Sequence, residues 1–249
     1  MGKTVAIIQA RMGSTRLPGK VMKDLCGKPV LEHVIRRVSR MKEIDEIVIA
    51  TTCLPQDIVI EELSERLSVK CFRGSENDVL SRYYFAAMDN IADHIVRITS
   101  DCPLFDPAVG DSVVRFYKEH DYDIVSNAGA LDSRRTFPPG LDTEVFSFPV
   151  LAEAFHNAVE NYQREHVTPY MYEDPDNLVF HFHGDHDYSH FRWTLDTEED
   201  FELIRRVYEE LFHGEHDFFM PHIVDLMIRK PTLACLNAGI QQKKYSHAG

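Results

Sequence analysis

Residues 4–20 read TVAIIQARMGSTRLPGK, and this stretch decides the fold. Thr4 to Ala10 is apolar and β-branched, the composition of a strand buried on both faces. The next ten residues change character at once. They hold two glycines, a proline, two hydroxyl side chains and three cations, Arg11, Arg16 and Lys20. A buried strand that ends in such a loop is how an α/β sheet offers backbone N–H groups and charge to an anion beyond its carboxyl edge. Arginine forks onto phosphate oxygens, and lysine adds a point charge. The loop is not the mononucleotide P-loop GxxxxGK[ST]: five residues, not four, separate Gly13 from Gly19, and Val21 follows the lysine where a hydroxyl is needed. GxGxxG is missing too, so no dinucleotide fingerprint is present. The plain alternative is a surface turn with chance charges.

Outward from this loop the chain alternates. Apolar positions Val30, Leu31, Val34, Ile35 and Val38 predict a helix over Pro29 to Met41, with proline in its first turn. Strands are predicted at Glu46–Thr51, Val69–Phe72, His94–Thr99 and 123–126. Helices are predicted at 55–67, Asp78–Asn90, 107–119 and 149–159. Strand and helix in turn over the first 130 residues predict βαβ units: an α/β fold with a mostly parallel, mixed sheet flanked by helices. Residues 128–148 and 163–190 are richer in His, Asp, Tyr and Pro and read as strands and loops added to that sheet. Order returns with Arg192–Leu195 as a strand, Glu198–Leu211 as a helix and 219–229 as a short helix. The polar tail 241–249 is expected to fray. No repeat and no linker composition interrupts the chain, so one domain over 1–249 is expected.

Composition narrows the function. Of 249 residues, 44% are hydrophobic and 27% charged, as in ordinary globular proteins. No apolar run reaches membrane-spanning length. The N-terminus enters its first strand directly, without a signal-peptide core, so a cytoplasmic location is expected. Five isolated cysteines without CxxC spacing fit reduced thiols. A formal net charge of −13 disfavours nucleic acid as a partner, which makes the three clustered cations more telling.

The segment IIQARMGSTRLPGK resembles the signature loop of the sugar cytidylyltransferases, the group of spore coat polysaccharide biosynthesis protein F, itself similar to CMP-Kdo and CMP-sialic acid synthetases. FRGSENDVLSRYY (72–84), VRITSDCPLFDP (96–107), GLDTEVFSF (140–148), REHVTPY (164–170) and RWTLDTEEDFELI (192–204) resemble further segments of that group, in its order. Together they span nearly the whole chain. The resemblance implies a single-domain fold of nucleotide-diphospho-sugar transferase type, a GT-A, Rossmann-like sheet. It implies attack of a sugar hydroxyl on the α-phosphate of CTP, with pyrophosphate leaving and Mg2+ as cofactor. It also implies a homodimer, with residues 140–175 as the expected contact. Ala10, Arg11, Gly13 and Ser14 are thereby assigned to the nucleotide, and Arg16 and Lys20 to catalysis.

Asp101 follows a strand end, and Asp196 is expected to do the same. Two such carboxylates suit Mg2+, which takes few protein ligands and fills its octahedron with waters and phosphate oxygens. The alternatives are a turn before Pro103 for Asp101 and a helix N-cap for Asp196. Ser75 and Asp78 are candidates for the base, although Ser75 or Asn77 also reads as an N-cap. Arg97 is expected to point into the same cleft or to pair with Asp101. Asp142, Glu144, Arg164, Glu165, His166 and Tyr170 are the candidates for the sugar, with Arg164 or His166 taking a sugar carboxylate. His181, His183, Asp185, His186, Asp187 and His190 crowd ten residues. His181 and His183 are expected on one strand face, where zinc is conceivable, although a polar exposed strand and turn is the plainer reading. Trp193 is expected to pack beside the Asp196 strand. Two rival functions remain. A glycosyltransferase of the same fold would use an Asp-x-Asp pair, and Asp121/Asp123, Asp174/Asp176 and Asp185/Asp187 match formally. A non-catalytic nucleotide-binding homologue would keep the cleft alone.

Overall fold

The computed structural model describes residues 2–129 and 135–241. Most of the polar tail therefore lies outside the described residues, as do five residues of the irregular stretch after 127. In chain order the strands are β1 (Thr4–Gln9), β2 (Asp24–Leu25), β3 (Lys28–Pro29), β4 (Glu46–Thr52), β5 (Lys70–Gly74), β6 (His94–Thr99), β7 (Ile124–Ser126), β8 (Glu144–Ser147) and β9 (Val179–His181). The helices are α1 (Val30–Val38), α2 (Ile58–Arg66), α3 (Val79–Asp89), α4 (Pro107–Glu119), α5 (Phe148–Asn157), α6 (Asn161–His166), α7 (Pro169–Glu173), α8 (Glu198–Leu211), α9 (Met220–Arg229) and α10 (Pro231–Ala234).

Among the described residues, seven strands form one sheet in the order β5-β4-β1-β6-β8-β7-β9. β1 pairs in parallel with both β4 and β6, so the apolar run at the N-terminus is the sheet's centre. Only β8 runs antiparallel to its neighbours. Val5 and Ile7 face one helical layer with α3 and α5, and Ala6 and Ile8 face the other with α1, α2 and α4. All four are fully buried, which is why the run is apolar throughout rather than alternating. From β1 the chain steps to β4 and β5 on one side, then crosses to β6 on the other. The carboxyl ends of β1 and β6 therefore flank the point where strand order reverses, the place where open α/β sheets leave a crevice.

A third core lies beyond that edge. Trp193, Leu203, Tyr208, Phe218 and Met227 pack there against Leu17, Leu25, Val30 and Leu141. It joins the 192–229 segment to the loop after β1. Trp193, expected beside Asp196, is fully buried within it.

Four expectations need correction. Arg192–Leu195 belongs to no sheet: Trp193 N–H donates to Pro139 O (2.7 Å) and Leu195 N–H to Asp101 O (2.8 Å). Residues 161–166 and 169–173 are short helices rather than strands and loops. The N-cap of α8 is Thr197, not Asp196; its hydroxyl accepts from Asp200 N–H while the Asp200 carboxylate reaches back, a capping box. β9 stops at His181, so His183 lies past its end.

Candidate active site

The site grows from the loop at the end of β1. Met12 O accepts the N–H groups of both Ser14 (2.9 Å) and Gly19 (3.1 Å), which folds residues 12–19 into a closed loop. Asp57 fixes its base by accepting Met12 N–H at 2.7 Å. Gly19 closes the loop in the left-handed conformation (φ 69°), where a side chain would be strained. A single 3-10 turn, Lys20–Met22, follows and turns Lys20 back toward the sheet edge.

There the Lys20 ammonium has three acceptors: Asp101 Oδ2 at 2.8 Å, Asp196 Oδ1 at 2.9 Å and Leu195 O at 2.7 Å. Arg16 reaches the same Asp196 Oδ1 at 2.9 Å. Thr99, at the end of β6, donates its hydroxyl to Asp101 Oδ1 at 2.6 Å. Arg16, Lys20, Asp101 and Asp196 thus form one ionic cluster at the carboxyl ends of β1 and β6. Burial alone would lower the Lys20 pKa, but the two carboxylates outweigh it and hold it above the ordinary lysine value. Burial alone would raise that of Asp101, but Lys20 and Thr99 outweigh it and hold it down at about 2. Both groups are therefore fully charged at neutral pH.

Behind Asp196 stands a second layer. Its Oδ2 accepts from Arg192 Nη2 at 2.8 Å, and Arg192 Nε donates to Asp200 Oδ1 at 2.9 Å. Asp200 is fully buried and also accepts the N–H groups of Asp196 (2.9 Å) and Thr197 (3.1 Å). Sequence reasoning passed over Arg192, Asp200 and Thr99. The signal available was two residue types rarely buried, set eight residues apart around Asp196.

The remaining candidates divide. Ala10 is buried, its N–H bonded to Ala50 O (3.1 Å). Ser14 Oγ accepts Leu17 N–H at 3.3 Å. Arg11 lies 3.4 Å from Glu76, so the loop after β1 faces the loop after β5. A Cβ on Gly13 would come 3.4 Å from the same Glu76 oxygen. Ser75 is exposed, and its hydroxyl accepts Asp78 N–H at 3.2 Å. Asp78, rather than Ser75 or Asn77, is the N-cap of α3, bonded to Ser81 N–H. Its other oxygen pairs with Arg164. Arg97 pairs with Glu144, whose second oxygen accepts from Thr168 (2.9 Å) and Tyr172 (2.6 Å). Glu144 thus anchors the α6–α7 hairpin to the sheet. Asp142 pairs with Arg135, and burial with the nearby Glu144 and Asp101 charges raises its pKa despite Arg135. It is the sugar candidate whose charge couples to Asp101. Glu165 is exposed and His166 half-buried. Tyr170 packs on the α3–α5 core, its hydroxyl beside Asn157 and Asp174.

The histidines disperse into aromatic contacts: His181 stacks on Tyr172, His186 meets Tyr188 and His190 meets Phe191. Among the described residues no group of three or more His, Cys, Asp or Glu could hold a metal. The Asp101–Asp196 pair is smaller than such a group, but two carboxylates around one cation are the donor set a nucleotide-borne Mg2+ needs. Of the Asp-x-Asp pairs, Asp123 opens β7 at the opposite, amino edge, bonded to Leu178 N–H (2.8 Å). Asp174 and Asp187 close local turns on Asp176 and Ser189. No described helix is long and apolar enough to cross a membrane.

Comparison with known proteins places the chain in a family. The chain is 37% identical over 246 residues to an uncharacterized protein of Methanocaldococcus jannaschii, covering 98% of each. It is 32% identical over 245 residues to the spore coat polysaccharide biosynthesis protein SpsF of Bacillus subtilis, covering 94% of this chain and 98% of that one. The solved structure of a cytidylyltransferase from Leptospira borgpetersenii superposes with a TM-score of 0.88 at 31% identity, over 99% of this chain and 100% of that one. The cytidylyltransferase family model matches residues 5–218, from the first buried strand through both carboxylates to Phe218 of the third core, and so the chain belongs to the cytidylyltransferase family.

Proposed function

We propose that the protein transfers CMP from CTP to a sugar hydroxyl, with release of pyrophosphate and with Mg2+ as cofactor. One observation carries the reading: the Arg16–Lys20–Asp101–Asp196 cluster sits at the carboxyl ends of β1 and β6, the crevice of the sheet. The relative in spore coat polysaccharide biosynthesis favours a sugar of a surface polysaccharide.

In the reaction the sugar oxygen bonds to the α-phosphorus, the bond from that phosphorus to the bridging oxygen breaks, and the hydroxyl proton passes to solvent water. Negative charge grows on the departing pyrophosphate. Arg16 and Lys20 are cations on a loop closed by its own backbone bonds, so their backbone is held ready to present them to that charge. Lys20 already uses three acceptors, so contact with a phosphate oxygen means exchanging one of them. Asp101, with its pKa at about 2, is a poor proton acceptor and acts as a fixed negative charge. Asp101 and Asp196 would hold Mg2+, which when bound neutralises phosphate charge and lowers the pKa of the attacking hydroxyl. Asp142 and Arg135, beside Asp101, are placed to bond sugar hydroxyls or a sugar carboxylate.

The test is a matrix of four nucleoside triphosphates against acidic and neutral sugars, read by pyrophosphate release. Release with CTP and one sugar class, abolished by EDTA, is expected. CTP binding without turnover across a broad panel refutes catalysis. Turnover in EDTA refutes the metal role, and faster turnover with another triphosphate refutes the base.

A further inference from the structure

We infer that Asn237 is a positioning residue for this reaction, setting the orientation of the Asp196 carboxylate through a buried chain of hydrogen bonds. The inference rests on the reading that Asp196 holds the metal.

Asn237 follows α10 and is 3% exposed. Its amide nitrogen spends both hydrogens on the second layer of the site: one on Arg192 O at 3.0 Å, the other on Asp200 Oδ1 at 2.8 Å. Asp200 in turn holds the Arg192 guanidinium from two sides, Nε to Oδ1 and Nη2 to Oδ2 at 3.1 Å. Arg192 Nη2 grips Asp196 Oδ2 and leaves Oδ1 to Lys20 and Arg16. The plane of the Asp196 carboxylate is thus fixed by a guanidinium that Asp200 holds in place. Asn237 ties Asp200 and the Arg192 backbone to each other.

The chemistry at 237 is selective. The cluster balances Arg16, Lys20 and Arg192 against Asp101, Asp196 and Asp200. A neutral double donor completes it without disturbing that balance. Aspartate there would set a third carboxylate against Asp200, and an aliphatic residue would leave a buried carbonyl and carboxylate short of a donor, a costly arrangement. A group placed only to secure the C-terminal segment has no need to end on the residue that holds Arg192.

Calorimetric titration of CTP into the full chain, once with Mg2+ and once with EDTA, tests the assignment. Asn237→Ala is expected to erase at least tenfold of the tightening that Mg2+ gives, with the Kd in EDTA unchanged within twofold. Asn237→Ser keeps one donor, gives a smaller loss of the same sign, and serves should the alanine variant fold poorly. Leu233→Ala, in α10 but outside the network, is expected to lower the Tm and leave the Mg2+ effect intact. An intact Mg2+ effect in Asn237→Ala and Asn237→Ser overturns the inference. So does an equal loss in EDTA, or an equal loss in Leu233→Ala. Asp196→Asn separates the two levels. If it leaves the Mg2+ effect intact, the metal role of Asp196 fails. If it removes the effect while Asn237→Ala does not, only the assignment of Asn237 fails.

Discussion

Replacing Lys20 with methionine removes one positive charge and little volume, and the geometry fixes the consequences. Asp101 Oδ2 and Asp196 Oδ1 both lie within 2.9 Å of the ammonium. Those two oxygens are therefore less than about 6 Å apart, and bare charges at that distance repel by roughly 3 kcal/mol at an effective dielectric near 20. Held at about 2 in place of its ordinary 3.8, the Asp101 pKa gives a second measure. That difference is worth on the order of 2 kcal/mol of folding stability at neutral pH. The first figure is the carboxylate repulsion that the ammonium offsets, and the second is the net gain of Asp101 from Lys20 and Thr99; both are lost or reduced in Lys20→Met, which should cost on the order of 2–3 kcal/mol at pH 7 in urea denaturation. The sign with pH is fixed as well. Asp101 has a lowered folded pKa, so its contribution is present above pH 3.8 and fades as pH falls toward 2. The stability gap between Lys20→Met and the unsubstituted protein should narrow through that window. In steady-state pyrophosphate release, kcat should fall on the order of 10²-fold, the usual loss when a preorganised charge at a reacting centre is removed. A turnover within twofold of the original, or a stability gap that does not change with pH, would overturn this account of Lys20.

Acid should also act through a buried histidine pair. His33 Nε2–H donates to Leu25 O (2.6 Å), which leaves its Nδ1 to accept from His216 (2.8 Å). Burial lowers the two pKa values to about 4 and about 3. Lowered histidine pKa values mean that the unfolded chain binds more protons, so stability should drop from pH 7 to pH 5 by about 2 kcal/mol for each histidine, on the order of 4 for the pair. His216→Leu should flatten that profile in urea titrations. Gly140→Ala should destabilise by about 3 kcal/mol or more, since φ is +107° and the new Cβ would lie 2.5 Å from Trp193 C. Its kcat should fall with its Tm because the same contact guides the chain toward Asp196. Glu144→Gln removes the carboxylate paired with the half-buried Arg97 and should cost on the order of 3 kcal/mol by denaturant titration, whereas Glu165→Ala, on the surface, should cost less than about 0.5.

Some of this was readable in advance, for reasons that differ element by element. β6 and α8 match their predicted bounds because each is a clear apolar pattern stopped by turn or cap chemistry. The α6–α7 hairpin escaped because helices of six and five residues are too short to show a period or to stand alone. They exist through Thr168 and Tyr172 gripping Glu144, which no local pattern records. Arg192–Leu195 read as a strand from its Trp-Thr-Leu content. It takes single backbone partners from two loops instead, so it joins no sheet. The meeting of Asp101 and Asp196 could be anticipated from their places after an apolar segment. That their shared cation is the Lys20 ammonium could not, because the loop's path depends on Met12 O closing it. Arg97 with Glu144, and Asp78 with Arg164, are pairs across 47 and 86 residues that spacing alone cannot reveal.

The ionic cluster has a history in time as well as in space. Lys20 finds Asp101 across 81 residues and Asp196 across 176. On a ribosome the ammonium emerges early, meets its first carboxylate midway, and waits for most of the remaining chain before it meets the second. The parallel half of the sheet can therefore be complete while the centre still lacks its last acid. A nascent chain at that stage carries the cationic loop and only one of its two carboxylates.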